Sequence, residues 1–187
     1  MPTPQKSPDN PAVADRSVVM IGLMGAGKTT IGRNVAERLN LPFIDSDEEV
    51  VKAAGCSIAD IFEMYGETSF RDCERRVIRR LLDDAPSVIA TGGGAYMDDE
   101  TRSLIAEHAV SVWLKSDLDV LVKRTAGRTD RPLLNAGDPR ETLEKLMAER
   151  YPVYGEADII IETGDEPTMV TVDSVCHALE THAEAAS

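Results

Sequence analysis

The chain has 187 residues, 42% of them apolar and 28% charged, and a formal net charge of −13. That length supports one domain with a real core, and no apolar run approaches the ~18 residues needed to cross a bilayer. A surface this acidic repels nucleic acid and anionic lipid, so neither is expected as a partner, and a start without the apolar core of a signal peptide leads us to expect a cytoplasmic protein.

In chain order, residues 1–16 carry four prolines and lack the apolar core of a signal peptide, so they read as a disordered leader. Residues 18–21, VVMI, form the first strand candidate, followed by GLMGAGKTTIG and a helical pattern over 28–39. Gly22, Gly27, Lys28 and Thr29 fit the pattern of glycine, four residues, then Gly-Lys-Ser/Thr between a strand and a helix. Small residues let backbone N–H groups turn inward around phosphates, and the helix start points its positive end at them. Lys28 is suited to the β- and γ-phosphates of a nucleotide and the Thr29 hydroxyl to Mg²⁺.

The second strand, 41–44, runs into Asp45 and, two residues on, Asp47. A P-loop protein needs an acid near its metal, and the strand at 88–90 ends in Thr-Gly-Gly-Gly instead, so Asp45 is the candidate to orient magnesium. Asp47 is then the candidate to bind or deprotonate a hydroxyl acceptor, although short polar residues at such a position also cap helices. Residues 48–84 are too long and too helical for a simple crossover and read as an inserted helical layer, with a helix over 70–82. Gly66 is expected to end one helix there, with Thr68 or Ser69 capping the next. Arg71 lies near that start, where Glu74 can offset its charge. Arg75, Arg76, Arg79 and Arg80 interleave with Asp72, Asp83 and Asp84 and read as a solvated face.

Three consecutive glycines, Gly92 to Gly94, exceed what one tight turn needs and suggest a ligand lying flat against bare backbone. A helix at 98–107, a strand at 110–114 and a helix at 117–124 follow. Residues 126–138, AGRTDRPLLNAGD, read as a mobile loop whose Arg131 can close over a transferring phosphoryl group. A helix at 140–150 ends at Arg150, where Pro152 is expected to stop it. A strand at 158–161 and a helix at 168–179 complete the pattern, with 181–187 as a flexible tail. Strand and helix in alternation argue an α/β fold, a parallel sheet covered on both faces, with ligands at the carboxyl ends of the strands. Cys56, Cys73 and Cys176 fit neither a disulfide framework nor a zinc site and are expected to be reduced.

Together GLMGAGKTTIG, FIDSDEEV, IFEMYGETSFRDCE, ATGGGA, RTDRPLL and ERYPVYGEAD resemble the shikimate kinase family, in its order and spacing, from residue 18 to about 175. The resemblance implies a P-loop three-layer α/β/α fold like the nucleoside monophosphate kinases. It would have a five-stranded parallel sheet, a substrate-binding insertion at about 46–84 and a lid at about 126–138 within one domain, 17–180. It implies a monomer that transfers the ATP γ-phosphate to the 3-hydroxyl of shikimate with Mg²⁺ as cofactor. Lys28, Asp47 and Arg131 would then be catalytic, and Thr29 and Asp45 would hold the metal. Gly25, Ala26, Gly27, Lys28, Thr29, Thr30, Arg124, Arg131 and Pro167 would bind ATP, with Arg124 and Pro167 on either side of adenine. Asp47, Arg71, Gly92, Gly93, Gly94 and Arg150 would bind shikimate, the two arginines gripping its carboxylate. Ser46 stands where the family usually has threonine. A gluconate or nucleoside monophosphate kinase of the same architecture, or a nucleotide-dependent regulatory protein, remains the alternative at this point.

Overall fold

The computed structural model describes residues 15–128, 134 and 137–187. All but the last two residues of the expected leader, and Arg131 with most of the expected lid, lie outside them. Five strands, β1 (Ser17–Ile21), β2 (Phe43–Asp45), β3 (Val88–Ala90), β4 (Ala109–Ser116) and β5 (Ile159–Thr163), form one sheet in the order β2-β3-β1-β4-β5. Every neighbouring pair is parallel, with Val19 of β1 opposite Ile89 on one side and Ser111 on the other. The helices among the described residues include α1 (Lys28–Leu39), α2 (Ser46–Ala54), α3 (Ile58–Asp83), α4 (Asp99–His108), α5 (Leu118–Thr125), α6 (Pro139–Tyr154) and α7 (Thr168–Ala185). Because helices cover both faces, β1 is buried at every position rather than at alternate ones.

Local chemistry sets the ends of these elements. Asn40 adopts the left-handed conformation after α1, and the N–H of Leu41 closes back on the Ala36 carbonyl at 2.9 Å. Leu41 is thereby consumed by the helix end and Pro42 has no N–H, so β2 starts two residues later than the apolar run. The α3 region holds two helical stretches that meet at Gly66, where φ is 80° and ψ 175°. This is the helix end read from the sequence, and it turns the outer part of the insertion away from the inner part carrying Arg71.

Two expectations about helix ends are corrected. Pro152 does not stop α6, which continues to Tyr154. The final turn is closed beyond the proline by Gly155 N–H to Tyr151 O, and it packs Tyr151 and Tyr154 edge-on against Trp113, with ring centroids 4.8 and 5.8 Å away. That packing offsets the hydrogen bond the proline forfeits. The last helix runs to Ala185 over most of the residues expected as a flexible tail, since its closing alanines favour helix and Ala183 packs on the core. The three cysteines are free, as expected.

Candidate active site

The loops at the carboxyl ends of the strands enclose a cleft of about 530 Å³. At one end it meets residues 24–31, and α1 opens there with no side-chain cap and no acid in its first turn. The orphan N–H groups of that turn face the cleft, which is the condition for holding phosphate oxygens. Helix α2 differs: Asp45 caps it, Oδ1 accepting from the N–H of Asp47 at 2.9 Å and of Glu48 at 3.3 Å. The capping reading of Asp45 therefore holds, and Oδ2 accepts neither of these bonds. The Lys28 ammonium donates to the carbonyls of Gly22 at 2.7 Å and Leu23 at 3.0 Å, which aims it across the mouth of the loop.

Arg124 on α5 joins the loop to the turn after β5, donating to the carbonyls of Gly25 and Ala26 and to that of Gly164. Glu166 completes that turn: its carboxylate accepts from Gly164 N–H at 2.9 Å and from the Thr171 hydroxyl at 3.0 Å. These bonds, the backbone one first, hold its carboxyl below the usual range. Arg124, Glu166 and Thr168 line the cleft, whereas Pro167 between the last two is exposed and does not. Glu166 was not anticipated, because its role follows from a side chain folded back onto its own turn.

The other end answers why three glycines stand together. None of Gly92, Gly93 and Gly94 has a positive φ, so the backbone does not require them. Space does. A Cβ on Gly92 would lie 2.8 Å from Asp47 Oδ1 and 3.3 Å from Glu74 Oε1, and one on Gly93 3.0 Å from an Arg150 guanidinium nitrogen. On Gly94 it would lie 2.8 Å from Arg71 Cζ. Each glycine thus faces one of the charged residues predicted to bind substrate, and side chains from α2, α3 and α6 converge on one strip of bare backbone. Gly94→Ala is expected to swing the Arg71 guanidinium aside, raising the KM for an anionic acceptor by about tenfold while Tm moves by no more than a few degrees, as steady-state kinetics and thermal melts would show.

Arg150 is held between Gly93 and the α6 core, and its Nε is buried with no hydrogen-bond partner among the described residues. Tyr154, fully buried one turn on, donates its hydroxyl to the Gly93 carbonyl, a tie that sequence reasoning missed. Arg71 donates to Glu74 Oε2 at 2.7 Å, the compensation expected for a cation early in its helix. Glu74 was not expected to be interior, yet it is 2% exposed, and its Oε1 has no partner among the described residues. Burial, opposed by the Arg71 guanidinium, raises its carboxyl from 4.5 to about 7. A group whose folded value is raised adds stability below its unfolded value and loses it as pH rises through the folded one. Glu74→Gln should therefore flatten the fall in stability between about pH 4.5 and 7, a difference on the order of 3 kcal/mol in thermal or urea unfolding across that range. An unchanged pH slope in the variant would refute the assignment.

The solvated-face reading of the arginines holds for Arg76, Arg79 and Arg80, which are exposed, but not for Arg75. Arg75 is half-buried and forks onto Asp98, Nε to Oδ2 at 3.0 Å and NH2 to Oδ1 at 2.8 Å. Its partner is 23 residues away, so spacing along the helix could not reveal it.

Among the described residues, no group of three or more His, Cys, Asp or Glu could hold a metal unaided. The Thr29 hydroxyl and the Asp45 carboxylate do line the same cleft. That hard-oxygen pair fits Mg²⁺ when phosphate and water supply the remaining positions. In a protein of net charge −13, this cleft gathers Lys28, Arg71, Arg124, Arg128 and Arg150 beside the carboxylates of Asp45, Asp47, Glu74 and Glu166, so placed cations, not the net field, are what could hold anions there.

Comparisons with known proteins agree on one family. The family model for shikimate kinase matches residues 24–180. A shikimate kinase of Brucella canis is 52% identical over 172 residues, covering 92% of this chain and 86% of the relative. Among solved structures, a shikimate kinase from Acinetobacter baumannii in complex with shikimate superposes with a TM-score of 0.86 at 33% identity, covering 93% of this chain and 98% of its own. A gluconokinase from Sinorhizobium meliloti shares the fold alone, with a TM-score of 0.62 at 20% identity over 92% of this chain and 95% of its own.

Proposed function

The chain belongs to the shikimate kinase family, and from that premise we propose how its own residues divide the work. It is an enzyme that phosphorylates shikimate with ATP as co-substrate, a step of aromatic biosynthesis. Residues 25–30 cradle the ATP phosphates, Lys28 holds the β- and γ-phosphates, and Arg124 lies against the adenine, with Glu166 and Thr168 rather than Pro167 lining that end of the cleft. Thr29 and Asp45 would hold Mg²⁺, which would neutralise charge on the phosphate oxygens.

Shikimate lies along Gly92 to Gly94. Arg71 and Arg150 fork onto its carboxylate, a geometry that planar guanidinium groups satisfy and lysine does not. Asp47 orients the 3-hydroxyl and takes its proton as that oxygen bonds to the γ-phosphorus. The bond from phosphorus to the bridging oxygen breaks in the same step and ADP leaves. Arg131, in the lid at about 126–138, stabilises the transferring group, and lid closure excludes water that would otherwise hydrolyse ATP. The working unit is 17–180 with the insertion at about 46–84 as its acceptor layer. A cytoplasmic monomer is the working form this reading takes.

The observation that carries this reading is the pairing of each glycine of the trio with one charged side chain of the acceptor end. Its test is ADP release with ATP and Mg²⁺ and shikimate, gluconate or AMP as acceptor. Turnover stimulated by shikimate alone is expected. Equal stimulation by gluconate, or none by shikimate in a folded protein that binds ATP, would refute it.

A further inference from the structure

Gly92 to Gly94 offer no side chain to the helix that carries Arg71. The four residues that follow them are clasped instead. Ala95–Met97 form a short 3-10 turn, and Asp98 then caps α4, its Oδ2 accepting from the Thr101 N–H at 2.9 Å. Asp98 also receives both arms of Arg75, one turn of α3 beyond Arg71. Arg75 is held in turn by Asp72 at 3.2 Å and Glu100 at 3.3 Å. On the opposite side Arg102 donates to the carbonyls of Tyr96 at 2.9 Å and Met97 at 3.0 Å, and reaches Glu156, just past the helix of Arg150, at 3.3 Å.

We propose that the Arg75–Asp98 fork is a positioning pair for shikimate: it fixes α3 against the glycine strip and so sets where the Arg71 guanidinium meets the acceptor carboxylate. This rests on the acceptor reading above. The side chains of the fork are about a quarter exposed, 24% and 22%, so the pair is partly shielded from water. A two-bond fork also fixes direction as well as distance, which a single contact does not. An ordinary surface pair contributes little to stability. This one acts through alignment, because a displacement of about 1 Å at a binding group is costly to a reaction even when the fold tolerates it.

Three variants test it, with shikimate and ATP kinetics measured on the full chain. Arg75→Met removes the fork, Asp98→Asn keeps the cap of α4 but removes the charge, and Arg75→Lys keeps the charge but not the fork. Expected for Arg75→Met and Asp98→Asn is a rise of about tenfold in the KM for shikimate, with the KM for ATP and kcat within about twofold of wild type. The Arg75→Met/Asp98→Asn double variant should be no worse than either single one, and Arg75→Lys should recover only part of the loss. Should Arg75→Met fail to fold, Asp98→Asn carries the same expectation. A shikimate KM within twofold of wild type in Asp98→Asn and Arg75→Lys, or equal rises in both substrates' KM values, would overturn the proposal while shikimate turnover by the wild type left the acceptor reading intact. No turnover of shikimate by the wild type would overturn both.

Discussion

Lys28→Met is expected to lower kcat by about 10³-fold or more while leaving the fold unchanged. The ammonium sits across the mouth of the phosphate loop, where charge builds on the leaving phosphates, and a preorganised donor at such a point supplies several kcal/mol to the transition state. Methionine has nearly the same length, but it leaves the carbonyls of buried Gly22 and Leu23 without the two bonds the ammonium gives them. Circular dichroism should overlay that of wild type, Tm should fall by no more than a few degrees for the two lost bonds, and shikimate binding in the absence of nucleotide should be unchanged. Retention of more than about a tenth of wild-type turnover would mean that Lys28 is not the phosphate ligand.

Arg150→Ala is expected to weaken the acceptor interaction by about 2–5 kcal/mol, which is at least about 30-fold in shikimate affinity, with ATP affinity within about threefold of wild type. Trp113, the sole tryptophan, lies edge-on against Tyr151 and Tyr154 on the same helical end, so its fluorescence can report the binding. Arg71→Ala should cost as much affinity and more stability. It strips the paired cation from buried Glu74, and breaking a buried pair from one side is more damaging than losing both partners. Adding Glu74→Gln to Arg71→Ala should therefore restore stability without restoring shikimate affinity. Equal losses of ATP and shikimate affinity in Arg150→Ala would contradict the assignment.

The parts of this site legible in the sequence are those whose chemistry needs fixed spacing along the chain. Lys28 and Thr29 must follow a strand and open a helix, and Asp45 and Asp47 must leave a strand end two residues apart, so a linear pattern carries both. The alternation of strands and helices likewise gave the sheet. Spacing could not say why Gly92 to Gly94 are glycines. The choice between a turn and a space requirement needs their φ angles and the positions of Asp47, Arg150 and Arg71, which arrive from three other elements. Burial was equally hidden: Glu74 and Arg75 are adjacent in sequence, yet one points into the cleft wall and the other to the cap of α4. Arg75 resembled its exposed neighbours only because Asp72, three residues away, offered a local partner. Pro152 misled because its effect on a helix was weighed without the aromatic packing that holds the last turn.

If the arginine and glycine strip is a carboxylate site, comparing shikimate with its methyl ester for affinity in wild type and in Arg150→Ala tests it most directly. Wild type should prefer the acid by at least about 30-fold, and this preference should shrink by about tenfold or more in the variant. Equal binding of acid and ester by the wild-type protein would contradict it.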